Sequence, residues 1–350
     1  MRYYSIRVVN LNTNNTVTFN DSNKRFMDDP LAKTTWTSHD QYEVLIPGAL
    51  NVELDIPTFA LSSFAFGSQV RVWGVGLSAL SQASNLSGYG IQINAGMLPP
   101  YNLNQTPSGQ IISGQIFQGY GNWEGVNQYL DLVLSSKYII PYKYADIPFD
   151  YKANTPLINA ITTALQTAFG AGVVIDNSSS APSIGHDISG HYPDLTTFAK
   201  MITDNTATSS YSGVQMAMNG DTIYIFDSNS EQSVINLNFP DLIGQPTWID
   251  PVSVQFATVM RSDITIGDAV VFPKGIYPPY ALTTPTAAFP QSPSVNKSSF
   301  DGTFLVKEVH HYGNFRQADA TSWRTEFKAS FIGELGFQLP AELYSYANVS

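Results

Sequence analysis

From Trp323 to Phe331 the sequence WRTEFKASF sets Trp323, Thr325, Phe327, Ala329 and Phe331 on one side and Arg324, Glu326 and Lys328 on the other. Strict alternation of this kind fits a pleated strand, whose successive side chains point to opposite faces, one toward a core and one toward polar surroundings. The same period of two runs through residues 1 to 120, where Val52, Leu54 and Ile56 oppose Asn51, Glu53 and Asp55, and Val70 and Val72 flank Arg71. It returns after Pro240 in VSVQFATV, DITIGDAVVF and FLVKEVHHY. Short alternating runs separated by Gly, Asn and Pro clusters predict antiparallel sheets of barrel or sandwich type at both ends of the chain.

The middle of the chain has a different period. In NTPLINAITTALQTAFGAG, Thr155 can cap a helix, Pro156 suits its first position, Leu157, Ile161, Leu165 and Phe169 fall four apart, and Gly170 ends it. A shorter helix is predicted from Asp194 to Thr203, with Leu195, Phe198, Ala199 and Ile202 on one face. VQMAMNGDTIYIF then predicts a hairpin, with Asn219-Gly220 supplying the positive φ values of a type I′ turn. One more helix is predicted earlier, from an Asn122 cap through Leu134, with Val126, Tyr129, Leu130 and Val133 on one face.

The predicted fold class is therefore mainly β with an α+β insertion. Two antiparallel β-barrel-like domains, at 1–140 and 241–350, flank a small α+β domain at 141–240. Residues 273–299 are rich in Pro, Ser and Thr, and a stretch of that length is expected to be either a functional arm or a segment ordered only when a partner holds it.

Composition narrows the function. Acidic residues outnumber basic ones 28 to 17, a formal net charge of −11, which opposes general nucleic-acid binding. Charged residues make up only 13% of the chain, a surface suited to lying against other proteins. No cysteine is present, so disulfide, thiolate and cysteine-metal chemistry is excluded. The N-terminal MRYYSIRVVNLNTNNTVTF alternates, and so reads as a first strand rather than a signal peptide. No run approaches the ~20 apolar residues of a membrane helix, and a soluble protein made in the cytoplasm is expected.

Candidate chemical motifs fail on context. Gly74-Val75-Gly76-Leu77-Ser78-Ala79 has the G-x-G-x-x-A form of a dinucleotide loop, but it lacks a long helix after it and an acid ~20 residues on. It reads as a turn. Gly185-His186-Asp187-Ile188-Ser189-Gly190-His191 gathers His, Asp and Ser too closely in sequence for a catalytic triad, and its His spacing misses the zincin pair. It reads as a polar loop before the Asp194 helix. His310 and His311 are adjacent on a strand, so they face opposite ways and cannot chelate one ion. Asp28-Asp29 reads as a turn cap before Pro30. No G-x-S-x-G elbow, P-loop or EF-hand loop occurs. No enzyme activity, cofactor or metal is predicted.

Tyrosine-rich loops such as SGYGI, GIYPPY and ELYSY suit sugar stacking and protein interfaces equally. A carbohydrate-binding β-protein of a virion or cell surface is the alternative function class. A hydrolase would require a site assembled from residues distant in sequence.

Three patterns in order resemble the baseplate hub proteins of tailed phages and related contractile injection systems. The first is QVRVWGVGLSALSQASNLSGYGIQINAGM followed by SGQIFQGYGNW. The second is PDLTTFAKMITDN with the MNGDTIYIF hairpin. The third is DITIGDAVVF followed by GTFLVKEVHHYGNFRQADATSWRTEFKAS, where Ile266-Gly267-Asp268, His311-Tyr312-Gly313 and Trp323-Arg324-Thr325 match the family's closing segment. Ile266 stands where a Pro is common, and the 273–299 arm is longer than a hairpin needs.

The resemblance implies a non-enzymatic homotrimer in the virion's tail baseplate, with two similar barrels per subunit giving six positions around an axis. Its expected partners are itself, the tail tube protein, the central spike protein and other baseplate proteins, with genomic DNA only in transit through an acidic lumen. Tyr277, Tyr280, His311, Arg316 and Arg324 are the residues expected at partner contacts.

Overall fold

The computed structural model describes residues 1–20, 25–59, 67–98, 108–135, 146–169, 173–176, 183–208, 213–227, 234–250, 252–273, 300, 302–319 and 321–332. The first β-rich part holds β1 (Arg2–Asn10), β2 (Asn15–Asn20), β3 (Arg25–Asp29), β4 (Trp36–Thr37), β5 (Val52–Phe59) and β6 (Gln69–Trp73). A short helix α1 (Leu77–Leu80) and a single 3₁₀ turn (Ala83–Leu86) lead into β7 (Gly90–Met97), β8 (Gly109–Glu124) and β9 (Asn127–Ser135). The middle holds β10 (Ile147–Tyr151), α2 (Leu157–Phe169), β11 (Val173–Asp176), β12 (Ile188–Tyr192), α3 (Leu195–Thr206), β13 (Gln215–Asn219) and β14 (Thr222–Phe226). The last part holds β15 (Val234–Asn236), β16 (Thr247–Trp248), β17 (Ser253–Val259), β18 (Ala269–Val271), β19 (Thr303–Asn314) and β20 (Trp323–Ile332).

The two β-rich ends are not separate barrels. Among the described residues they share one sheet in the order β16-β17-β20-β19-β5-β6-β9-β8-β7-β1-β2-β3, with β4 beside β1 and the β15-β18 pair beside β19. Closure would require the terminal strands to meet, and β16 and β3 end the path unpaired with each other. The cause is one edge of β19, which pairs β18 over Thr303 to Leu305 and then β5 over Glu308 to Asn314. The partner changes at a bulge that leaves Lys307 as the extra residue against β20. An edge that would have closed the last part on itself is thus spent on joining the first.

Both middle helices form where predicted, and Asp194 caps α3 by accepting from the Thr197 amide at 2.7 Å. The helix expected from Asn122 to Leu134 is instead the β8–β9 hairpin, turning at Gly125-Val126. Leu130, Leu132 and Leu134 are all fully buried, so the period of two outweighs the four-residue spacing. The hairpin around Gly220 forms, but its two turn residues are Gly220 and Asp221, since Asn219 pairs with Thr222. Only Gly220 has positive φ, +57°, the pattern of a type II′ rather than a type I′ turn. The segment expected as a polar loop before α3 contributes β12, which pairs antiparallel with β10.

Three apolar cores result among the described residues. One fills the first part, one packs α2 and α3 against the middle strands, and one fills the last part. The β13–β14 hairpin belongs to two of them. Met216, Met218, Ile223 and Ile225 face the middle core, while Ala217 and Phe226 face the last.

Candidate functional site

The seam between β5 and β19 draws together the segments that the sequence singled out. On its inner face Trp323 Nε1 donates to the Gly96 carbonyl at 2.9 Å. A Cβ on Gly313 would lie 2.7 Å from the Trp323 ring and 3.1 Å from Leu54 Cβ, so this position must stay bare for the indole to seat. Nearby, His311 Nδ1 and Thr325 Oγ1 are 2.9 Å apart across the β19–β20 pair, and Thr325 also accepts from the Arg261 amide at 3.2 Å. His311 is fully enclosed, and burial, helped by the neighbouring His310, pushes its imidazole down to about 3. It is therefore neutral at neutral pH.

Arg261 is itself buried, 3% exposed, and forks onto Asp263 at 2.7 and 2.6 Å with Asp241 at 3.7 Å. The turn before β18 is closed by Asp268, whose carboxylate accepts from the Thr265 amide at 2.6 Å and hydroxyl at 3.0 Å. Burial nevertheless raises the Asp268 carboxyl, the hydrogen bonds from Thr265 opposing it.

The outer face of the same seam carries a polar ladder over six strands. On β20 and β19, Lys328 bonds Glu308 at 2.6 Å, and Arg324 bonds Glu326 at 2.7 Å while lying over the Tyr312 ring at 4.7 Å. Tyr312 packs tilted against His310, with ring centroids 3.8 Å apart, and His310 reaches across the seam to Asp55 of β5 at 2.6 Å. Asn314 likewise donates to Glu53 at 3.0 Å. Arg71 of β6 lies 3.9 Å from Glu53 and forks onto Asp131 of β9 at 2.6 and 3.2 Å, and Asn122 of β8 donates to Asp131 at 2.9 Å. The Asp131 hydrogen bond raises the Arg71 guanidinium further above its ordinary value.

The ladder thus holds three cations, Arg71, Arg324 and Lys328, against five carboxylates, Glu53, Asp55, Asp131, Glu308 and Glu326. In a chain with 13% charged residues this is a local concentration of charge, and each cation already has a carboxylate partner.

The structure places the predicted contact residues in different settings. Arg324 lies in the ladder. His311 lies on the opposite, inner face. Arg316 clasps the far end of the seam: its amide donates to Asn51 Oδ1 at 3.0 Å, and its guanidinium bonds the carbonyls of Pro47, at 3.2 Å, and Ala49. Tyr277 and Tyr280, with the 273–299 arm beyond Pro273, lie outside the described residues. Glu53, Asp55, Arg71 and Asp131 were not singled out as site residues, although outward charges in a charge-poor chain were a readable signal; their pairing needs the strand register.

The other motifs resolve as structural elements. Gly74 to Ala79 makes a turn into the four-residue α1. Asp29 caps the turn at Pro30 by accepting from the amides of Leu31, at 2.9 Å, and Ala32, at 3.3 Å. Asp187 accepts from the Ala153 amide at 2.8 Å and from Lys152 Nζ at 3.2 Å, while His191 pairs with Asp146 at 2.8 Å on the surface. Among the described residues no group of three or more His, Cys, Asp or Glu side chains is placed to hold a metal ion.

No family model matches the chain, and no curated protein matches it in sequence. Solved structures do align with it. The 43 kDa tail protein of prophage MuSo2 from Shewanella oneidensis aligns over 95% of this chain and 98% of its own, with a TM-score of 0.50 at 8% identity. The tail protein from Neisseria meningitidis aligns over 94% and 96%, with a TM-score of 0.47 at 10% identity. A prophage tail protein from Listeria monocytogenes aligns over 93% and 94%, with a TM-score of 0.41 at 9% identity. The Shewanella protein and this chain share a fold from end to end.

Proposed function

We propose that this chain is a structural hub of a phage tail baseplate, a homotrimer that joins a six-fold tail tube to a three-fold central spike. The observation that carries the reading is the fold held in common, over nearly the whole of both chains, with a prophage tail protein. In this reading 1–140 and 241–350 are the two β-rich units of the hub and 141–240 is the unit between them. Three chains then offer six β-rich units to the tube and a three-fold face to the spike. The protein is made in the host bacterial cytoplasm, ends in the virion tail, and has a structural rather than a catalytic role.

The seam supplies the physical sense. An adaptor passes load between two rings, and a single sheet running through both units carries it without a flexible joint. Arg316, Tyr277 and Tyr280 are assigned to contacts with the tube, the spike or a second copy, and Arg324 goes with the ladder. The outer ladder is assigned to the lumen wall, where an excess of carboxylates over paired cations gives passing DNA nothing to hold.

Light scattering on the purified protein, alone and mixed with candidate tube and spike proteins, tests the reading, with negative-stain images of any complex. A three-fold ring with a central hole, alone or on a spike, is expected. A monomer that ignores both partners refutes it.

A further inference from the structure

The main strand path ends in β3 on one side and in β16 on the other. At the β3 end lies an open cleft of about 850 Å3, walled by Phe26 of β3, Trp36 of β4, Leu50, and Val75 and Leu77 of the glycine turn that has the form of a dinucleotide loop in sequence. No Asp, Glu, Lys or Arg lines it. Leu77 is 48% exposed and Phe26 is half-buried, so part of this apolar wall faces water. An ion or a charged peptide would find no counter-charge there, whereas an apolar side chain would cover the exposed wall.

The β16 end carries such a side chain. The segment before β16 runs along the same edge of β17, where the Ile243 amide donates to the Ala257 carbonyl at 2.8 Å and Leu242 bridges to Thr258. Just ahead of it, Phe239 opens the single 3₁₀ turn Phe239–Asp241 and is 55% exposed. Among the described residues of the last part, the exposed large apolar side chains are Val234, Phe239 and Val252, so Phe239 is the aromatic one. Its turn is fixed from below: the Asp241 carboxylate accepts from the Asn238 amide at 3.1 Å and lies 3.7 Å from the buried Arg261 guanidinium. An aromatic presented on a fixed turn loses little freedom on binding, as an interface anchor should. We propose that Phe239 of one copy seats in the cleft of the next, an inference that rests on the homotrimer proposed above. Because knob and cleft lie at opposite ends of the strand path, the contact is head-to-tail, the kind that closes into a ring. It also sets a last unit against a first unit at every junction between copies, the alternation that six units from three chains require. The exposed Trp123 near the β8–β9 tip belongs to the first unit, as the cleft does, and stays outside this contact.

The chain has no cysteine, so introduced pairs can be linked selectively. Leu77→Cys with Phe239→Cys in one chain, treated with a short bismaleimide alone or with tube and spike proteins present, is expected to give covalent dimer and trimer, and neither single variant does. Phe239→Ser, a change at an exposed position, is expected to raise the protein concentration needed for half-assembly about tenfold or more, read by light scattering. A trimer in which Leu77 and Phe239 do not link, or which Phe239→Ser leaves intact, overturns the pairing while the hub reading stands. A chain that stays monomeric alone and with both partners removes the two together. Linking through Trp123→Cys in place of Phe239→Cys would seat the hairpin tip in the cleft and overturn the pairing as well.

Discussion

Trp323 on β20 donates its indole N–H to the carbonyl of Gly96 at the end of β7, 2.9 Å away and 227 residues earlier in the chain. The bond ties the closing strand to the first β-rich part, and bare Gly313 gives the ring its seat. Replacing Trp323 with Phe removes the donor and part of a buried ring, at a cost of about 2–3 kcal/mol. Gly313→Ala is destabilising as well, because its methyl meets the indole. The two changes are expected to be non-additive in urea unfolding, with a coupling of about 0.5 kcal/mol or more, since a shorter ring relieves the clash. Strict additivity would mean that Gly313 is needed for some other reason.

His311 makes the fold acid-sensitive. Its imidazole is held at about 3 by burial, whereas in the unfolded chain it titrates near ~6.5. Between those values the unfolded state binds the extra proton, so stability is complete above about pH 6.5 and declines as pH falls toward 3. The slope is about 1.4 kcal/mol per pH unit. From about pH 7 to about pH 5, the unaltered protein is expected to lose about 2 kcal/mol more than His311→Gln, measured by urea unfolding. Parallel losses in the two proteins would show that another group carries the acid response.

Gly220 is constrained twice. Its φ of +57° disfavours any side chain, and a Cβ there would sit 1.8 Å from the Ser113 carbonyl oxygen of β8. The hairpin tip is pressed against the first part with no room for a methyl. Gly220→Ala is expected to cost at least about 2 kcal/mol and to raise hydrogen exchange in β13 and β14 before the seam strands respond. Uniform loosening of the whole chain would show that the tip is not a separable contact.

The alternating runs made most of this fold readable. Burial of Trp323, Thr325, Phe327 and Ala329 on one face and the polar setting of Arg324, Glu326 and Lys328 on the other follow from spacing alone. Helices α2 and α3 announced their apolar faces in the same way, and α3 its Asp194 cap. Between Asn122 and Leu134 both periods fitted, and the core positions of Leu130, Leu132 and Leu134 decided the matter only after partner strands were known. The joining of the two β-rich ends was invisible for a related reason. It depends on β19 changing partners at Lys307, and periodicity says which face a residue takes, never which strand lies beside it. The ladder on the outer face inherits that limit. Glu53, Asp55 and Arg71 stood out as outward charges, but their links to Asn314, His310 and Asp131 are matters of register.

If the outer face lines a channel for DNA, its cations must be kept occupied. Arg71 is shared between Glu53 and Asp131, so converting both carboxylates to amides removes two negative charges and leaves the guanidinium open to a phosphate. Such pairs on a partly exposed face contribute only about 0–1 kcal/mol each, so Glu53→Gln with Asp131→Asn is expected to leave Tm nearly unchanged. Its effect should show in DNA binding instead. The unaltered protein is expected not to retain duplex DNA at low salt, whereas the double variant gains weak retention that vanishes as salt is raised, as phosphate contacts do. Arg71→Met added to the double variant should abolish the gain. Retention by the unaltered protein, or a gain that survives loss of Arg71, would remove this face from the lumen wall and return it to the protein contacts.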